Sequence, residues 1–253
     1  MHRPTLALMV LLSLSAPAAA LVGGAETVRG TGAGRHIVMI IGTRGNLCTG
    51  TAIARDLVLT AGHCVAPAAT YRVLLADNKP PGLAIRSIAV HPRYNPKDYA
   101  SGRVTADVAL IKLEQPLPAN IAPAALAPVQ TVAPGDRFVI AGYGATSYGS
   151  ESGNGTPRAA TLVATGKPGN LQIRLADPAA RDTRAGLGAC TGDSGGPAFV
   201  ESAGTLAVIG VVGWSTGPAS TAGCGGLTGV TPLAIYHGWV VEQARKMGSA
   251  VGQ

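Results

Sequence analysis

The chain has 253 residues, of which 47% are hydrophobic, 13% charged and 4% aromatic, and its formal net charge is +7. This composition excludes a disordered chain, and 35 Gly with 18 Pro argue against coiled-coil and long-helix classes. The basic residues are scattered singly, without interleaved aromatic residues, so the charge indicates a solvated basic surface and not a nucleic-acid site.

The first 20 residues have the pattern of a secretory signal peptide. Arg3 supplies the positive start, an apolar stretch runs from Leu6 to Leu14, and small residues follow at Ala16–Ala20. The apolar stretch is shorter than the roughly 20 residues that span a bilayer. We therefore expect an exported protein, secreted or periplasmic, that does not associate with a membrane.

Short apolar runs recur between turn signals from His36 to Gly213. Runs at this rhythm are typical of β-sandwiches or barrels, and a Pro- and Ala-rich stretch at 116–134 is the predicted connection between two β halves. From Pro232 to about Met247, apolar side chains recur at helical spacing, with Pro232 in the first turn. The sequence predicts an all-β domain over residues 21–253 with one C-terminal helix.

Four cysteines follow the predicted signal peptide. An even number in an exported protein predicts two disulfides, and four cysteines allow three pairings. Their spacing favours Cys48–Cys64 and Cys190–Cys224, each of which closes a local loop. A zinc site is the alternative, but the close Cys-x-x-Cys pairs typical of such sites are absent.

Three motifs contain the residue types that amide hydrolysis requires. His63 follows one apolar strand, Asp107 opens another, and Ser194 stands among glycines in Cys190–Pro197. Glycines there allow a tight turn that presents the serine Oγ and points the N–H groups of Gly192 and Ser194 at one spot. A serine becomes nucleophilic when an imidazole takes its proton and a buried carboxylate holds that imidazole. The order His, Asp, Ser is a known order of this triad.

These motifs resemble those of the chymotrypsin-like (trypsin-fold) serine endopeptidases, and the resemblance covers nearly all of the chain after residue 20. It implies two six-stranded antiparallel β-barrels, at about 21–120 and 121–231, with a C-terminal helix at 232–247 and the triad between the barrels. Further segments match in the family's order: Leu21–Gly24, Cys48–Ile53, His91–Tyr94, Gly142–Gly144 and Val212–Trp214.

The resemblance implies a role for each residue of the three motifs. Ser194 is the nucleophile, His63 the general base and then acid, and Asp107 orients His63. The N–H groups of Gly192 and Ser194 form the oxyanion hole. Two family disulfides are matched by the pairs Cys48–Cys64 and Cys190–Cys224.

Asp193, beside the nucleophile, has a different implied role. In the family this carboxylate is buried and pairs with the ammonium of the processed N-terminus, which shapes the oxyanion hole. The expected partner here is Leu21. Signal cleavage after Ala20 exposes Leu21 directly, whereas cleavage after Ala18 leaves a dipeptide to be trimmed. The position of the small residues favours the first, so we expect export itself to activate the protein.

The implied primary specificity pocket contains no acid. Gly188 stands six residues before Ser194, where trypsin-like members have Asp, so we do not expect cleavage after Arg or Lys. An uncharged pocket favours apolar side chains. The implied substrate-binding residues are Gly188, Ala189, Gly213, Trp214, Ser215 and Gly226.

Two departures from the family pattern bear on activity and on metal binding. Gly213 replaces a serine that usually supports the catalytic Asp, which predicts lowered but retained activity. The loop Asp77–Ser87 has a single acid, whereas calcium takes six or more oxygens, usually from several carboxylates. We expect no metal and no other cofactor.

The expected function is therefore that of a monomeric serine endopeptidase, with protein or peptide substrates and a protein inhibitor as its partners. A catalytically inactive homologue that acts as a binding protein is one alternative, and the intact His63, Asp107 and Ser194 argue against it. An esterase is another, and the extended cleft of the family favours peptides.

Overall fold

A computed structural model describes residues 21–23, 25–67, 69–76, 81–166 and 171–252. The predicted signal peptide, the cleavage sites in it, Gly24 and Asp77 lie outside these residues. The strands are β1 Glu26–Thr27, β2 Ile37–Gly42, β3 Leu47–Ala54, β4 Leu57–Thr60, β5 Tyr71–Leu74, β6 Ile85–Val90, β7 Ala109–Leu113, β8 Ala125–Leu126, β9 Arg137–Gly142, β10 Arg158–Ala164, β11 Ile173–Ala176, β12 Pro197–Ser202, β13 Thr205–Ser215 and β14 Thr228–Pro232. The α-helices are α1 Gly62–Val65, α2 Pro96–Ala100 and α3 His237–Lys246, and the 3-10 helices are Gly32–Arg35, Pro218–Ser220 and Leu233–Ile235.

The N-terminal half forms a six-stranded antiparallel half-barrel in the order β5-β2-β3-β4-β7-β6. Its two edges approach each other through a pair of backbone hydrogen bonds between Val73 and Leu83. The central strands are buried on both faces, and Leu57, Leu59 and Leu110 are fully buried. This core anchors the segments that follow β4 and precede β7.

The C-terminal half is a closed barrel. Six strands follow one another in the order β10-β11-β14-β13-β12-β9, and β9 pairs again with β10. Strand β8 adds to β13 in parallel. The predicted all-β fold with two six-stranded antiparallel barrels is confirmed, with one barrel closed and the other a half-barrel.

The first described residues, from Leu21 to β1, pack with the second barrel, not the first. Strand β1 pairs with β10, so that Glu26 lies opposite Ala159. Leu21 is 1% exposed and belongs to the apolar core of the C-terminal barrel. The predicted division near residue 120 therefore separates the two barrels only from β2 onward.

The C-terminal helix is shorter than the apolar spacing suggested. Pro232 is the last residue of β14, Leu233–Ile235 form a 3-10 turn, and α3 begins at His237. Val240 and Ala244 bury its inner face. No helix within the described residues is both long enough and apolar enough to cross a bilayer.

Candidate active site

His63 is held at the start of a short helix between two fixed points. Strand β4 is fully buried, and α1 begins two residues after its end. The Cys48–Cys64 disulfide ties this helix to β3. The predicted pairing is confirmed, and so is Cys190–Cys224.

Asp107 lies against His63 through both of its carboxylate oxygens. Oδ1 accepts the backbone N–H of His63 at 2.8 Å, and Oδ2 is 2.7 Å from the ring Nδ1. Asp107 is 3% exposed. Because a carboxylate only accepts hydrogen bonds, the proton between them belongs on Nδ1, which leaves Nε2 as an acceptor on the opposite edge of the ring.

Ser194 lies on a loop that is held to the first barrel by two hydrogen bonds. Thr49 of β3 donates its N–H to the Ser194 carbonyl at 2.8 Å and its hydroxyl to the Gly192 carbonyl at 2.8 Å. Ser194 is half-buried and lines, together with His63 and Gly192, a cleft of about 590 Å³. The structure therefore brings the three sequence motifs to one cleft.

The Gly192–Ser194 turn also leaves two donors at this cleft. Gly192 has φ 97°, and a Cβ there would collide with Leu47 and with the backbone of Gly144, so glycine is required on both grounds. Within the described chain, the N–H groups of Gly192 and Ser194 have no protein acceptor. Such a pair of free donors suits an oxyanion.

Asp193 points away from the cleft into the second barrel. It is 1% exposed and accepts N–H bonds from Gly144 and Cys190, both at 2.8 Å. Burial raises its pKa to about 7, because the charged form loses its hydration, and the two N–H bonds and the charge of Arg158 offset only part of this effect. The Val22–Gly188 bridge brings the N-terminal segment to the stretch of chain that leads into this loop.

The predicted pocket residues Gly188 and Ala189 lie beside Thr228 and Gly225. Ala189 donates its N–H to the Thr228 hydroxyl at 2.9 Å, and a Cβ at Gly188 would lie 3.5 Å from the same oxygen. That Cβ would lie 3.1 Å from Gly225, the chain neighbour of Gly226, and the Gly226 N–H donates to the Thr216 carbonyl at 2.9 Å. Thr228, fully buried beside Gly188 and Ala189, was missed in the sequence. The long loop at 216–223 makes it difficult to align this part of the sequence with the family pattern.

Part of the cleft lining comes from the end of β13. Gly213, Trp214 and Ser215 line the cleft together with Cys190 and Ser194. The Trp214 ring packs on Gly229 of the neighbouring strand, where any Cβ would overlap the indole.

A sequence model of the Trypsin family matches residues 21–240. The chain belongs to the trypsin family. It is 28% identical over 229 residues to the snake venom serine protease rhinocerase 4 of Bitis rhinoceros. The aligned region covers 87% of this chain and 86% of that protein. The chymotrypsin-like elastase family member 1 of Rattus norvegicus is 32% identical over 111 residues, 40% of this chain and 41% of that protein.

One further sequence match and one solved structure extend the comparison. The transmembrane protease serine 9 of Rattus norvegicus is 29% identical over 215 residues, which are 78% of this chain but 20% of that protein. The solved structure of human heparin binding protein superposes with a TM-score of 0.67 at 23% identity, covering 87% of this chain and 95% of that one. This last likeness concerns the fold alone.

Tyr99, which no sequence motif singled out, contacts His63 in this cleft. Its ring stacks on the His63 imidazole, with centroids 4.3 Å apart and planes inclined by 13°. Its hydroxyl donates to the Gly213 carbonyl at 3.1 Å. No local sequence signal marks Tyr99, because a single tyrosine in a polar segment looks like any surface residue.

One group of metal-ligand types lies near the site. Atoms of Cys48, His63 and Cys64 lie within 4.8 Å of one another. Both sulfur atoms belong to a disulfide, and the His63 Nδ1 is engaged by Asp107. A disulfide offers no thiolate, so this group lacks the donors that a zinc site needs.

Proposed function

We propose that this protein is an exported serine endopeptidase that cleaves peptide bonds through an acyl-enzyme. The observation that supports it most is the double engagement of His63 by Asp107, in a cleft that Ser194 shares. Trypsin-family membership adds protein or peptide substrates as the expected class. A fixed imidazole beside an accessible serine is the combination that nucleophilic acyl transfer requires.

In this mechanism Ser194 Oγ attacks the scissile carbonyl and gives its proton to His63 Nε2. Asp107 stabilises the imidazolium that forms. The carbonyl oxygen becomes an oxyanion that accepts the N–H groups of Gly192 and Ser194, and losing one such donor costs about 3 kcal/mol in a studied protease. His63 then protonates the leaving amine. In the second half of the reaction, a water molecule gives its proton to His63 and attacks the acyl-enzyme, and His63 returns the proton to Ser194 Oγ.

The proposed primary pocket accepts small, uncharged side chains. Gly188 and Ala189 bring no charge, and Thr228 fills the space beside them with a hydroxyl already bonded to Ala189 N–H. Gly188, Ala189 and Thr228 themselves offer no carboxylate to an entering ammonium or guanidinium, and desolvating an unpaired charge is costly. Cleavage after Arg or Lys is therefore not proposed.

The proposed activation step joins Leu21 to Asp193. Leu21 is already buried in the barrel that contains Asp193, whose carboxylate is buried without an ion pair in the described chain. Leaving a buried charge unpaired typically costs about 3–5 kcal/mol. An ammonium created by cleavage after Ala20 would remove that cost and stabilise the Gly192–Ser194 loop. We further propose a monomer that a protein inhibitor controls.

The deciding experiment is the intact mass of the exported protein before and after a serine-directed phosphonylating reagent. A chain that starts at Leu21, gains one adduct and loses it in Ser194→Ala supports the proposal. An unlabelled Leu21 chain supports an inactive binding protein instead, and an unlabelled longer chain supports a zymogen. Turnover of an ester and an amide of the same peptide then distinguishes an esterase from a peptidase.

A further inference from the structure

Tyr99 covers one face of the His63 imidazole. The 13° inclination and the 4.3 Å separation of centroids put the two rings face to face. Asp107 contacts the imidazole ring only at Nδ1. This contact alone does not prevent the ring from rotating about the Nδ1 end. The Tyr99 ring restricts this remaining motion.

The segment that carries Tyr99 is fastened on both sides. Asn95 caps α2 by accepting the Lys97 N–H at 2.9 Å, and its own N–H donates to the Thr105 hydroxyl at 2.7 Å. Arg103 pairs with Asp98 at 2.7 Å across the turn that follows the helix. The Tyr99 ring is therefore presented by an anchored loop.

Gly213 explains why this contact matters in this chain. A Cβ at this position would lie 3.4 Å from Asp107 Oδ2. Because residue 213 is a glycine, it has no side-chain hydroxyl that could donate to this carboxylate. The Gly213 carbonyl instead accepts the Tyr99 hydroxyl at 3.1 Å. The link between β13 and the histidine runs through Tyr99.

We propose that Tyr99 is a positioning residue for catalysis, which holds the His63 ring toward Ser194 and stabilises its charged form through the aromatic face. The proposal rests on the proposed protease function. When Ser194 Oγ–H gives its proton to Nε2, the imidazole becomes a cation beneath the Tyr99 ring. A cation over an aromatic face is stabilised, whereas the neutral ground state gains much less, so the contact favours the transition state.

The other groups around His63 fit this role. Asp107 supplies the negative charge, and Glu151 lines the far side of the cleft. Burial, and then the Asp107 charge, raise the pKa of Tyr94 to about 12 and raise the pKa of Tyr99 as well. Both tyrosines are therefore neutral across the working pH range, and Tyr99 remains a hydrogen-bond donor.

A competing role for Tyr99 is that of a wall between substrate-binding sites. With Gly213 and Trp214 it also lines a neighbouring cavity of about 560 Å³. A wall acts only on substrates that extend into this cavity. The test therefore compares a blocked single-residue ester, which ends at the primary pocket, with a tetrapeptide amide.

The variants are Tyr99→Leu, which removes the stack and the hydroxyl, and Tyr99→Phe, which removes the hydroxyl alone. Val129→Ala is the control, because Val129 is 66% exposed and lines neither the cleft nor the neighbouring cavity. We expect Tyr99→Leu to lower kcat about 3- to 30-fold on both substrates. Tyr99→Phe should lose less, and Val129→Ala should leave kcat unchanged.

The pH dependence separates positioning from simple structural loss. If Tyr99 stabilises the imidazolium, its removal lowers the His63 pKa, and the acid limb of kcat/KM moves to lower pH. An NMR titration of His63 in the Ser194→Ala background should show the same shift without any turnover. An unmoved His63 pKa, or a Tyr99→Leu loss confined to KM of the tetrapeptide, overturns the proposal. A wild-type protein that hydrolyses neither substrate overturns the proposed function itself.

Discussion

The Thr49 hydroxyl donates to the Gly192 carbonyl at 2.8 Å, a hydrogen bond that crosses from the first barrel to the second. The same oxygen accepts the Tyr143 N–H at 3.0 Å, and the Thr49 carbonyl accepts the Thr60 hydroxyl at 2.9 Å. Thr49 is fully buried. One threonine thus connects the strand before the histidine motif with the turn that carries the free donors of the cleft.

We expect Thr49→Val to weaken both stability and turnover. The substitution keeps the volume but removes the hydroxyl that donates to the buried Gly192 carbonyl, and a buried group that loses its partner costs about 1–3 kcal/mol. Chemical denaturation should show the lower free energy of unfolding, and kcat should fall because the Gly192 N–H moves. Thr49→Ser, which keeps the hydroxyl, is the control, and equal losses in both variants would contradict this reading.

Thr228→Gly should widen the primary pocket. Its side chain is fully buried beside Gly188 and Ala189, so removing it frees space for larger acyl-side residues. A change of one or two methyl-sized groups in such a pocket shifts preference about 10- to 200-fold. We would measure kcat/KM for a series of peptides from Ala to Phe at the cleaved residue. Thr228→Ser keeps the hydroxyl that Ala189 bonds and should stay close to the wild-type preference.

The residues of the proposed triad could be predicted from the sequence, because each of the three stands in a short local motif. A glycine-flanked serine, a histidine beside a cysteine and an aspartate opening an apolar strand each mark their position without any tertiary information. Thr228 and Tyr99 were not, because their roles arise from contacts between distant segments. Thr228 lies beside Gly188 through pairing of strands around the barrel, and Tyr99 reaches His63 across a loop.

In the fold, too, the elements with a local sequence pattern were predictable, and those that depend on distant contacts were not. Apolar runs located the strands, but the packing of β1 with the second barrel follows from partners 131 and 133 residues away, at Arg158 and Ala159. The C-terminal helix was predicted to begin at Pro232, five residues before α3 begins at His237. Its apolar spacing does continue through Leu233, but pairing of Pro232 with Gly210 holds the backbone extended until the strand ends.

Gly213→Ser should raise activity. The Cβ has room, at 3.4 Å from Asp107 Oδ2 and 3.7 Å from the Thr231 hydroxyl, and φ is not in the left-handed region. A hydroxyl there can donate to the carboxylate, and one such bond contributes about 0.5–1.5 kcal/mol. We expect kcat/KM to rise about 2- to 10-fold, measured on one peptide substrate. Gly213→Ala adds the methyl group without the donor, and a similar rise in that variant would exclude the hydrogen bond as the cause.

Asp193 should make the unprocessed chain lose stability between about pH 4 and pH 7. Its folded pKa, raised to about 7 by burial, lies above the usual value near 4, so the folded state binds the proton more tightly than the unfolded state does. The contribution is fully present below pH 4 and is lost as the pH rises to about 7. Thermal melts of Ser194→Ala, with residues retained before Leu21, should show this decline.

The matched comparison is the same chain cut to begin at Leu21. If the new ammonium pairs with Asp193, the carboxylate is stabilised in its charged form, and the decline between pH 4 and pH 7 should shrink or reverse. Asp193→Asn should remove the dependence from the uncut chain, since the amide does not titrate. Identical melting profiles for the cut and uncut chains would contradict the proposed Leu21–Asp193 pair and leave the activity of the site to other contacts.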